Sequence, residues 1–269
     1  MNTLERIVAM KREEVSRLRR TVPVSELAQL AAERAPERRP FAAALARPGL
    51  SLIAEHKRHS PSAGLIREGV ALEQVVEAYE RGGARALSIL TEGPSFHGSL
   101  ADLKSAHAAS TLPLLRKDFI VDVYQVTESL AAGADAILLI VAALTPAELS
   151  TLYDAARAAG LAVLVEVHDA HELERAAAVG AEIIGINNRD LATLEVDTAR
   201  TFELLPGVPA GATVVAESGF STRVELDELE RAGVDGVLVG EALMRSPDIE
   251  SACRTLAGGR AARGSVSPL

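Results

Sequence analysis

The chain of 269 residues is long enough for one large α/β domain or two small ones. Its net charge of -9 argues against a general nucleic-acid-binding protein, and its single cysteine, Cys253, excludes an internal disulfide and a cysteine-based zinc cluster. No apolar run approaches the ~18 residues of a membrane helix, and the N-terminus lacks the apolar core of a signal peptide. We therefore expect a cytoplasmic protein that binds neither nucleic acid nor a membrane.

Residues 1–49 precede the first predicted strand and form an N-terminal extension. Apolar residues fall on one face of a predicted amphipathic helix, with Lys and Arg around the remainder: Leu4, Ile7, Val8, Val15 and Leu18. We expect this helix to pack on the following domain. Its basic face is interpreted as a solvated surface, because basic residues elsewhere in this acidic chain are not clustered.

Residues 50–257 repeat one pattern, in which a glycine suited to ending a helix is followed by a short link and an apolar strand. About eight such runs begin near Leu50, Arg85, Leu112, Asp135, Leu161, Glu182, Thr213 and Asp235. No hairpin signal interrupts the order, which predicts a (β/α)₈ TIM barrel. The alternative, an open doubly wound sheet, would favour a GxGxxG turn after the first strand, and the sequence has none. The polar residues 258–269 are expected to be a disordered tail.

Helix starts are predicted just after the strands. Four pairs have the spacing of a capping box, in which the side chains of the first and fourth residues bind each other's backbone N–H: Asp122 with Gln125, Thr145 with Glu148, Asp169 with Glu172, and Thr222 with Glu225. Because each pair follows a predicted strand, the order is strand, short loop, helix. Polar residues at the strand ends therefore collect at one face of the barrel, where such folds place their active sites.

The first and third strands end in lysines. Glu55 and Lys57 are two residues apart and point to the same side, either as part of a site or as a structural salt bridge. Lys117 closes the third strand, and we expect apolar neighbours and another cation to lower its pKa, which suits a general acid. The alternative is an ion pair with Asp118 at the rim of the barrel.

Later strand ends carry acids, amides and glycines. Glu166 follows four apolar residues and has little reason to be there for folding, so a general-base role fits. Asn187 and Glu217 can bind sugar hydroxyls, and Arg189 either joins them or pairs with Glu166 or Asp190. After the last two strands come two glycines that we expect to build a phosphate site from backbone N–H groups, Gly219 and Gly240.

Metal and nucleophile sites are not favoured by the sequence. The six histidines do not form a set of three with carboxylates at strand ends, and no serine lies in a GxSxG elbow. Cys253 is interpreted as a packing residue of a C-terminal helix. His56 lies between Glu55 and Lys57 and should face the helices.

Seven segments, taken in order, resemble the indole-3-glycerol phosphate synthases of tryptophan biosynthesis. They are AEHKRHSPSAGLI, SILTEGPSFHGS, LLRKDFIVDVYQV, LVEVHDAHEL, GINNRDL, VAESGFS and LVGEALMR. The resemblance runs from about residue 1 to 255 and implies a barrel enzyme, a carboxy-lyase that uses no metal and no organic cofactor. Its implied substrate is 1-(2-carboxyphenylamino)-1-deoxyribulose 5-phosphate, and contact with other enzymes of the pathway stays open.

The resemblance also implies residue roles. Lys117 would be the acid for ring closure, Glu166 the base for dehydration, and Lys57, oriented by Glu55, a second catalytic lysine whose share of the work stays open. Further catalytic positions are Asn187 and Glu217. The positions implied for substrate binding are Ser60, Ser218, Gly219, Gly240 and Glu241 near the phosphate, Phe96 and Phe119 near the aromatic ring, and Arg189.

Two departures and two alternatives accompany this interpretation. His56 stands where the family commonly has an apolar residue, and Glu241 places an acid beside the predicted phosphate, so it can help only through its backbone N–H. Phosphoribosylanthranilate isomerase would be expected to use a cysteine and an aspartate, and the first strand end has no cysteine. A non-catalytic barrel that binds a phosphorylated metabolite would need none of Lys57, Lys117 and Glu166.

Overall fold

The computed structural model describes residues 3–258, in which ten strands and twelve α-helices occur. The strands are β1 Ser51–His56, β2 His59–Ser60, β3 Gly64–Leu65, β4 Ala86–Leu90, β5 Leu114–Lys117, β6 Ala136–Ile140, β7 Ala162–Val167, β8 Ile183–Asn187, β9 Thr213–Glu217 and β10 Gly236–Val239. Eight of them, β1 and β4 to β10, form a closed barrel in which every neighbouring pair is parallel. The predicted TIM barrel is confirmed.

The helices are α1 Thr3–Thr21, α2 Val24–Arg34, α3 Phe41–Leu45, α4 Leu72–Arg81, α5 Leu100–Ala109, α6 Val123–Ala131, α7 Pro146–Ala158, α8 Ala170–Ala178, α9 Ala199–Leu204, α10 Arg223–Ala232, α11 Glu241–Arg245 and α12 Ile249–Leu256. Within residues 3–258, no helix is long and apolar enough to cross a membrane. The division into an extension (1–49) and a barrel (50–257) stays a prediction, and the predicted tail lies, apart from Gly258, outside the described residues.

Local signals position most helices as predicted. Complete capping boxes start α6, α7 and α10, and the five glycines that precede strands have positive φ: Gly83, Gly133, Gly160, Gly180 and Gly233. At α8 the box is only half formed, because Glu172 binds the backbone N–H of His168 instead of that of Asp169. Two strands were not predicted: β2 and β3 form a small antiparallel hairpin in the loop after β1.

The N-terminal helix α1 packs on the barrel, although its buried face is not wholly apolar. Ile7 and Val15 are buried as expected, but Lys11 is buried beside them, 3% exposed. Its ammonium lies 3.0 Å from Asp118 at the end of β5 and 2.8 Å from Glu14. The expectation that the basic residues of this helix are all solvated is therefore wrong for Lys11, because a buried acid from the barrel compensates its charge.

The helix layer buries the two side chains that the sequence assigned to it. Cys253 of α12 is buried and lies so close to Gly82 that a Cβ there would be 2.6 Å from the Cβ of Cys253. His56 is also buried, and desolvation together with the charge of Arg58 lowers its pKa to about 4. At neutral pH His56 is therefore an uncharged packing residue between the barrel and its helices.

Candidate active site

A cavity of about 120 Å³, here called the inner cavity, opens at the carboxyl ends of the barrel strands. Ten of the predicted site residues line it: Glu55, Lys57, Phe96, Lys117, Phe119, Glu166, Asn187, Arg189, Glu217 and Ser218. They come from β1, β5, β7, β8 and β9 and from the loops that follow the strands. The barrel thus brings together residues that are as much as 163 positions apart in the chain, the separation of Glu55 and Ser218.

Lys117 is the centre of the inner cavity. Its Nζ donates to Oε2 of Glu166 at 2.7 Å and to Oε2 of Glu217 at 2.8 Å. The alternative ion pair with Asp118 is wrong, since Asp118 turns away and binds Arg116 and Lys11. A protonated lysine held between two buried carboxylates can deliver a proton to an oxygen placed in the cavity.

The expected direction of the Lys117 pKa is also wrong. Burial alone would lower the pKa of Lys117, but the charges of Glu166 and Glu217 outweigh burial and raise it above its ordinary value. The expected second cation does not decide the outcome, because Lys57 is held by Glu55 at 3.0 Å. Lys117 is therefore fully protonated at neutral pH.

The two carboxylates that hold Lys117 differ in proton affinity. Burial favours the neutral form of both, yet Lys117 and His168 hold the pKa of Glu166 well below its usual range. For Glu217, burial and the nearby negative charge of Glu166 prevail over the attraction of Lys117 and raise the pKa to about 7. Because the two pKa values are so far apart, Glu166 can stay a carboxylate while Glu217 stores and releases a proton.

Asn187 and Gly185, both on β8, support this arrangement. The Nδ2 of Asn187 donates to Oε1 of Glu166 at 3.1 Å, and its Oδ1 accepts the backbone N–H of Arg189 at 3.0 Å. A side chain at Gly185 would collide with Oε1 of Glu217, which is buried and has no hydrogen-bond partner among residues 3–258. The glycine in the strand therefore leaves room for the Glu217 carboxyl group inside the barrel.

Apolar side chains form another part of the inner-cavity lining, here called the apolar wall. Phe96 and Phe119 line the inner cavity together with Leu138, Ile140 and Leu191. Ile7 of α1 belongs to the same apolar cluster as Phe119, so the N-terminal helix contributes to the cover of this wall. A flat aromatic ring could lie against these side chains with its substituents directed to Lys57 and Lys117.

A second cavity of about 480 Å³, here called the outer cavity, adjoins the first and shares Glu55, Lys57, Arg189, Ser218 and Leu238 with it. Its wall also includes three predicted phosphate-site residues and a second arginine: Gly219, Gly240, Glu241 and Arg245. Ser60 is not brought there. Among residues 3–258 it lines neither cavity, and its buried hydroxyl accepts the backbone N–H of Ala63 at 3.1 Å.

The two glycines of the outer cavity are needed for different reasons. Gly219 has φ +93°, a conformation that favours glycine, and a Cβ there would lie within 2.8 Å of Thr198 and Val196 side chains. Gly240 has an ordinary φ of -121°, but a Cβ there would lie 2.7 Å from Oε1 of Glu55. Gly240 therefore makes room for the acid that holds Lys57.

Arg189 does not form the ion pairs with Glu166 or Asp190 that were considered for it. Its Nη1 donates to the carbonyl oxygen of Leu194 at 2.9 Å, and residues 3–258 contain no ion pair between it and Glu166 or Asp190. Its side chain lines both cavities, which places a positive charge at their junction.

Sequence reasoning missed three charged residues near the site. Lys11 reaches Asp118 from α1, Glu92 lines the inner cavity and accepts the backbone N–H groups of Ser95 and Phe96, and His168 approaches Glu166. Of these, His168 had a usable signal, since residues two apart at a strand end point to the same side. Among residues 3–258, no three His, Cys, Asp or Glu side chains are arranged to hold a metal ion.

Comparison with solved structures agrees with the fold. A 3-hexulose-6-phosphate synthase superposes with a TM-score of 0.62 at 15% identity and covers 78% of this chain and 99% of its own. The thiamine phosphate pyrophosphorylase of Pyrococcus furiosus gives a TM-score of 0.58 at 21% identity and covers 78% and 94%. At such identities the likeness concerns the barrel alone.

Comparison of sequences is more specific. The family model described as indole-3-glycerol phosphate synthase matches residues 4–256. A relative of that name from Desulfosudis oleivorans is 46% identical over 94% of this chain and 97% of its own length. Another, from Rhizorhabdus wittichii, is 47% identical over 96% and 99%. With matches of this extent, the chain belongs to the indole-3-glycerol phosphate synthase family.

Proposed function

We propose that this protein converts 1-(2-carboxyphenylamino)-1-deoxyribulose 5-phosphate into indole-3-glycerol phosphate, with release of carbon dioxide and water. The observation that carries the proposal is the position of Lys117 between Glu166 and Glu217 in the lining of a cavity that also has an apolar wall. Ring closure needs a proton donor at the ribulose carbonyl, and the apolar wall suits the aromatic ring that attacks it. As a biosynthetic lyase that acts on a small phosphorylated substrate, the protein is assigned to the cytoplasm.

In the first step, the Nζ of Lys117 protonates the carbonyl oxygen while the ring carbon bonds to the carbonyl carbon. The raised pKa makes Lys117 a poor donor to water, so the proton stays in place until negative charge develops on the substrate oxygen. Loss of the carboxyl group as carbon dioxide then restores the aromatic ring. Lys57, which is held by Glu55, is assigned to the substrate carboxylate.

In the second step, Lys117, reprotonated by Glu217, donates a proton to the hydroxyl group made by ring closure, which leaves as water, and a proton leaves the new ring. Glu166 is assigned as the base, because its carboxylate stays ionised at neutral pH beside Lys117. Glu217, whose pKa of about 7 lets it exist in both forms, is assigned to exchange protons with Lys117. Asn187 orients Glu166 through the hydrogen bond to Oε1.

The rest of the substrate is assigned to the outer cavity and the apolar wall. Phe96 and Phe119 hold the ring, and the phosphate binds near the backbone of Ser218, Gly219, Gly240 and Glu241 with Arg189 at the junction of the cavities. Glu241 does not oppose the phosphate strongly, since its carboxylate is paired with Arg245 at 2.9 Å. Ser60 is assigned a role in shaping the loop after β1 rather than in direct contact.

The competing functions are less well supported. An isomerase site with a cysteine has no candidate among the described residues, because Cys253 is buried in α12, where burial raises its pKa to about 12. Four ionisable groups meet in the inner cavity: Glu55, Lys117, Glu166 and Glu217. A binding protein without activity has no need for them, since each costs free energy to desolvate.

The test is the formation of indole absorbance when the purified protein receives the substrate. We expect Glu166→Gln to lower kcat by roughly 10²-fold or more while KM changes little, because the amide keeps the shape and removes the base. Glu182→Gln, at a residue 58% exposed, is the matched control and should keep the kcat of the parent. If the parent makes no indole, the proposed function is wrong; if Glu166→Gln stays within a few-fold of the parent, Glu166 is not the base.

A further inference from the structure

His168 is held at the mouth of the barrel in one orientation. Its backbone N–H and its Nδ1 both bind Oε2 of Glu172, at 2.8 and 3.0 Å. This double contact is the reason for the half-formed capping box of α8, because Glu172 reaches past Asp169 to His168. Because Nδ1 contacts a carboxylate, Nδ1 carries a proton. The other ring nitrogen, Nε2, points away from Glu172.

The other ring nitrogen faces the proposed base. The Nε2 of His168 is buried and lies 3.4 Å from Oε1 of Glu166, the oxygen that also accepts from Asn187. The contact is not a regular hydrogen bond, and Nε2 has no hydrogen-bond partner among residues 3–258. It is therefore an ion-pair contact, and a small movement of the imidazole can turn it into a hydrogen bond to Glu166.

The charges around the pair favour an imidazolium. Burial alone would lower the pKa of His168, but Glu166 and Glu172 outweigh it and raise the pKa to about 10. Glu166 in turn faces two cations, Lys117 and His168, and one further acid on β9, Glu217. When Lys117 turns its proton toward a substrate oxygen, His168 is the cation that still faces Glu166.

We propose that His168, clamped by Glu172, is a positioning residue that keeps Glu166 ionised and oriented while Lys117 is engaged with the substrate. This inference rests on the proposed role of Glu166 as the base. It differs from a purely structural role, in which Glu172 and His168 would only fasten the loop between β7 and α8.

The variant His168→Asn separates the two roles. An asparagine amide can still donate to Glu172 from the position of Nδ1, but it is too short to reach Glu166. We expect kcat to fall about tenfold with KM nearly unchanged. Loss of a neighbouring cation should raise the pKa of Glu166, so the acid limb of the kcat–pH profile should move up by about one unit.

The matched control is His171→Asn, in the first turn of α8. His171 is 79% exposed, and its ion-pair contact with Glu174 is long, at 4.0 Å. Its replacement should leave kcat and the pH profile unchanged. An acid limb of His168→Asn that coincides with that of the parent, together with a lower thermal midpoint, would overturn the proposal and leave the structural role.

A second measurement does not depend on turnover. The imidazole of His168 can be titrated by NMR in the parent and in Glu166→Gln, with the signal assigned by its loss in His168→Asn or, if that variant does not fold, in His168→Gln. We expect Glu166→Gln to lower the pKa of His168 by about one unit or more, since one of its two carboxylates becomes neutral. An unchanged pKa would overturn the inference, and the result stands even if the parent makes no indole.

Discussion

The inner and outer cavities share a wall but are built in different ways. The inner cavity is lined by buried side chains of opposite charge, with Glu55, Glu166 and Glu217 each at most 3% exposed. The outer cavity is about four times larger and is lined in large part by the glycine-containing segments after β9 and β10. The comparison suggests a division of labour, in which side-chain charges act on the reacting atoms and backbone groups hold the part of the substrate that does not react.

The physical reason lies in what each task requires. Under the proposed assignment, protons move in the inner cavity, and burial among other charges displaces the pKa values of its groups from those they have in water. An anion in the outer cavity needs donors that stay where they are, and backbone N–H groups meet this need without the entropy cost of ordering long side chains. Variants of the inner cavity should therefore change kcat, and those of the outer cavity should change KM.

The strongest test of the inner cavity is Lys117→Met. We expect kcat to fall roughly 10³-fold or more, because methionine fills the volume of the stem but carries no proton. It should also destabilise the protein, by about 3 kcal/mol or more, since it leaves two buried carboxylates without their cation. Steady-state kinetics and thermal unfolding measure both effects.

Two controls sharpen this prediction. Lys104→Met, on the exposed surface of α5, should leave kcat unchanged. Adding Glu217→Gln to Lys117→Met should recover part of the stability but none of the activity, because one uncompensated charge is removed and no acid is restored. Substrate consumption by Lys117→Met at nearly the rate of the parent would move the acid role to Lys57.

The fold was predictable because its signals are local. The eight barrel strands begin within two residues of the predicted positions, and the capping boxes at Asp122, Thr145 and Thr222 fix where the next helices start. Each signal needs only a few neighbouring residues. The hairpin of β2 and β3 was missed because its strands have two residues each, too short for any periodic pattern.

The site was predictable in its members but not in their pairing. Strand ends identified Lys117, but the direction of its pKa depends on Glu166 and Glu217, which are 49 and 100 positions away in the chain. The buried contact between Lys11 and Asp118 and the role of Gly240 beside Glu55 are likewise set by the closed barrel. Ser60 shows that closeness in sequence is also not enough, since it lies three residues after Lys57 but lines neither cavity.

The pKa of Glu217 gives a prediction for stability. A carboxyl group with a pKa of about 7 in the folded protein and an ordinary one near 4.5 when unfolded favours the folded state while it is protonated. Its contribution is therefore present at pH 5 and is lost as the pH rises through 7, with a change of the order of 3 kcal/mol. In Glu217→Gln this loss should be absent.

The comparison of thermal midpoints at pH 5 and pH 8 tests this. We expect the parent and Glu217→Gln to unfold at similar temperatures at pH 5, and the variant to unfold several degrees higher at pH 8. Other titratable groups, His56 and His168 included, are present in both proteins, so the difference between the two isolates Glu217. A constant difference across this range would mean that Glu217 is ionised throughout and is not a proton reservoir.

The smallest effects should come from the two glycines of the outer cavity. In Gly240→Ala the new methyl group would lie 2.7 Å from Oε1 of Glu55 and displace the acid that holds Lys57. We therefore expect kcat to fall roughly tenfold, a change of about 1.4 kcal/mol, although the residue belongs to the outer cavity. In Gly219→Ala the methyl group meets Val196 and Thr198, away from the charged groups, and KM should rise by a similar factor with kcat nearly unchanged.

Gly211→Ala is the control for backbone strain, because Gly211 has φ +89° and nothing within 4 Å of its would-be Cβ. It should lower the thermal midpoint without changing kcat or KM. A change in KM that occurs in Gly219→Ala and not in Gly211→Ala is therefore due to the cavity. Inorganic phosphate should compete with the substrate for the parent and bind more weakly to Gly219→Ala. If instead Gly240→Ala raises KM as Gly219→Ala does and keeps kcat, Gly240 acts only through the outer cavity, and its role in making room for the acid that holds Lys57 is wrong.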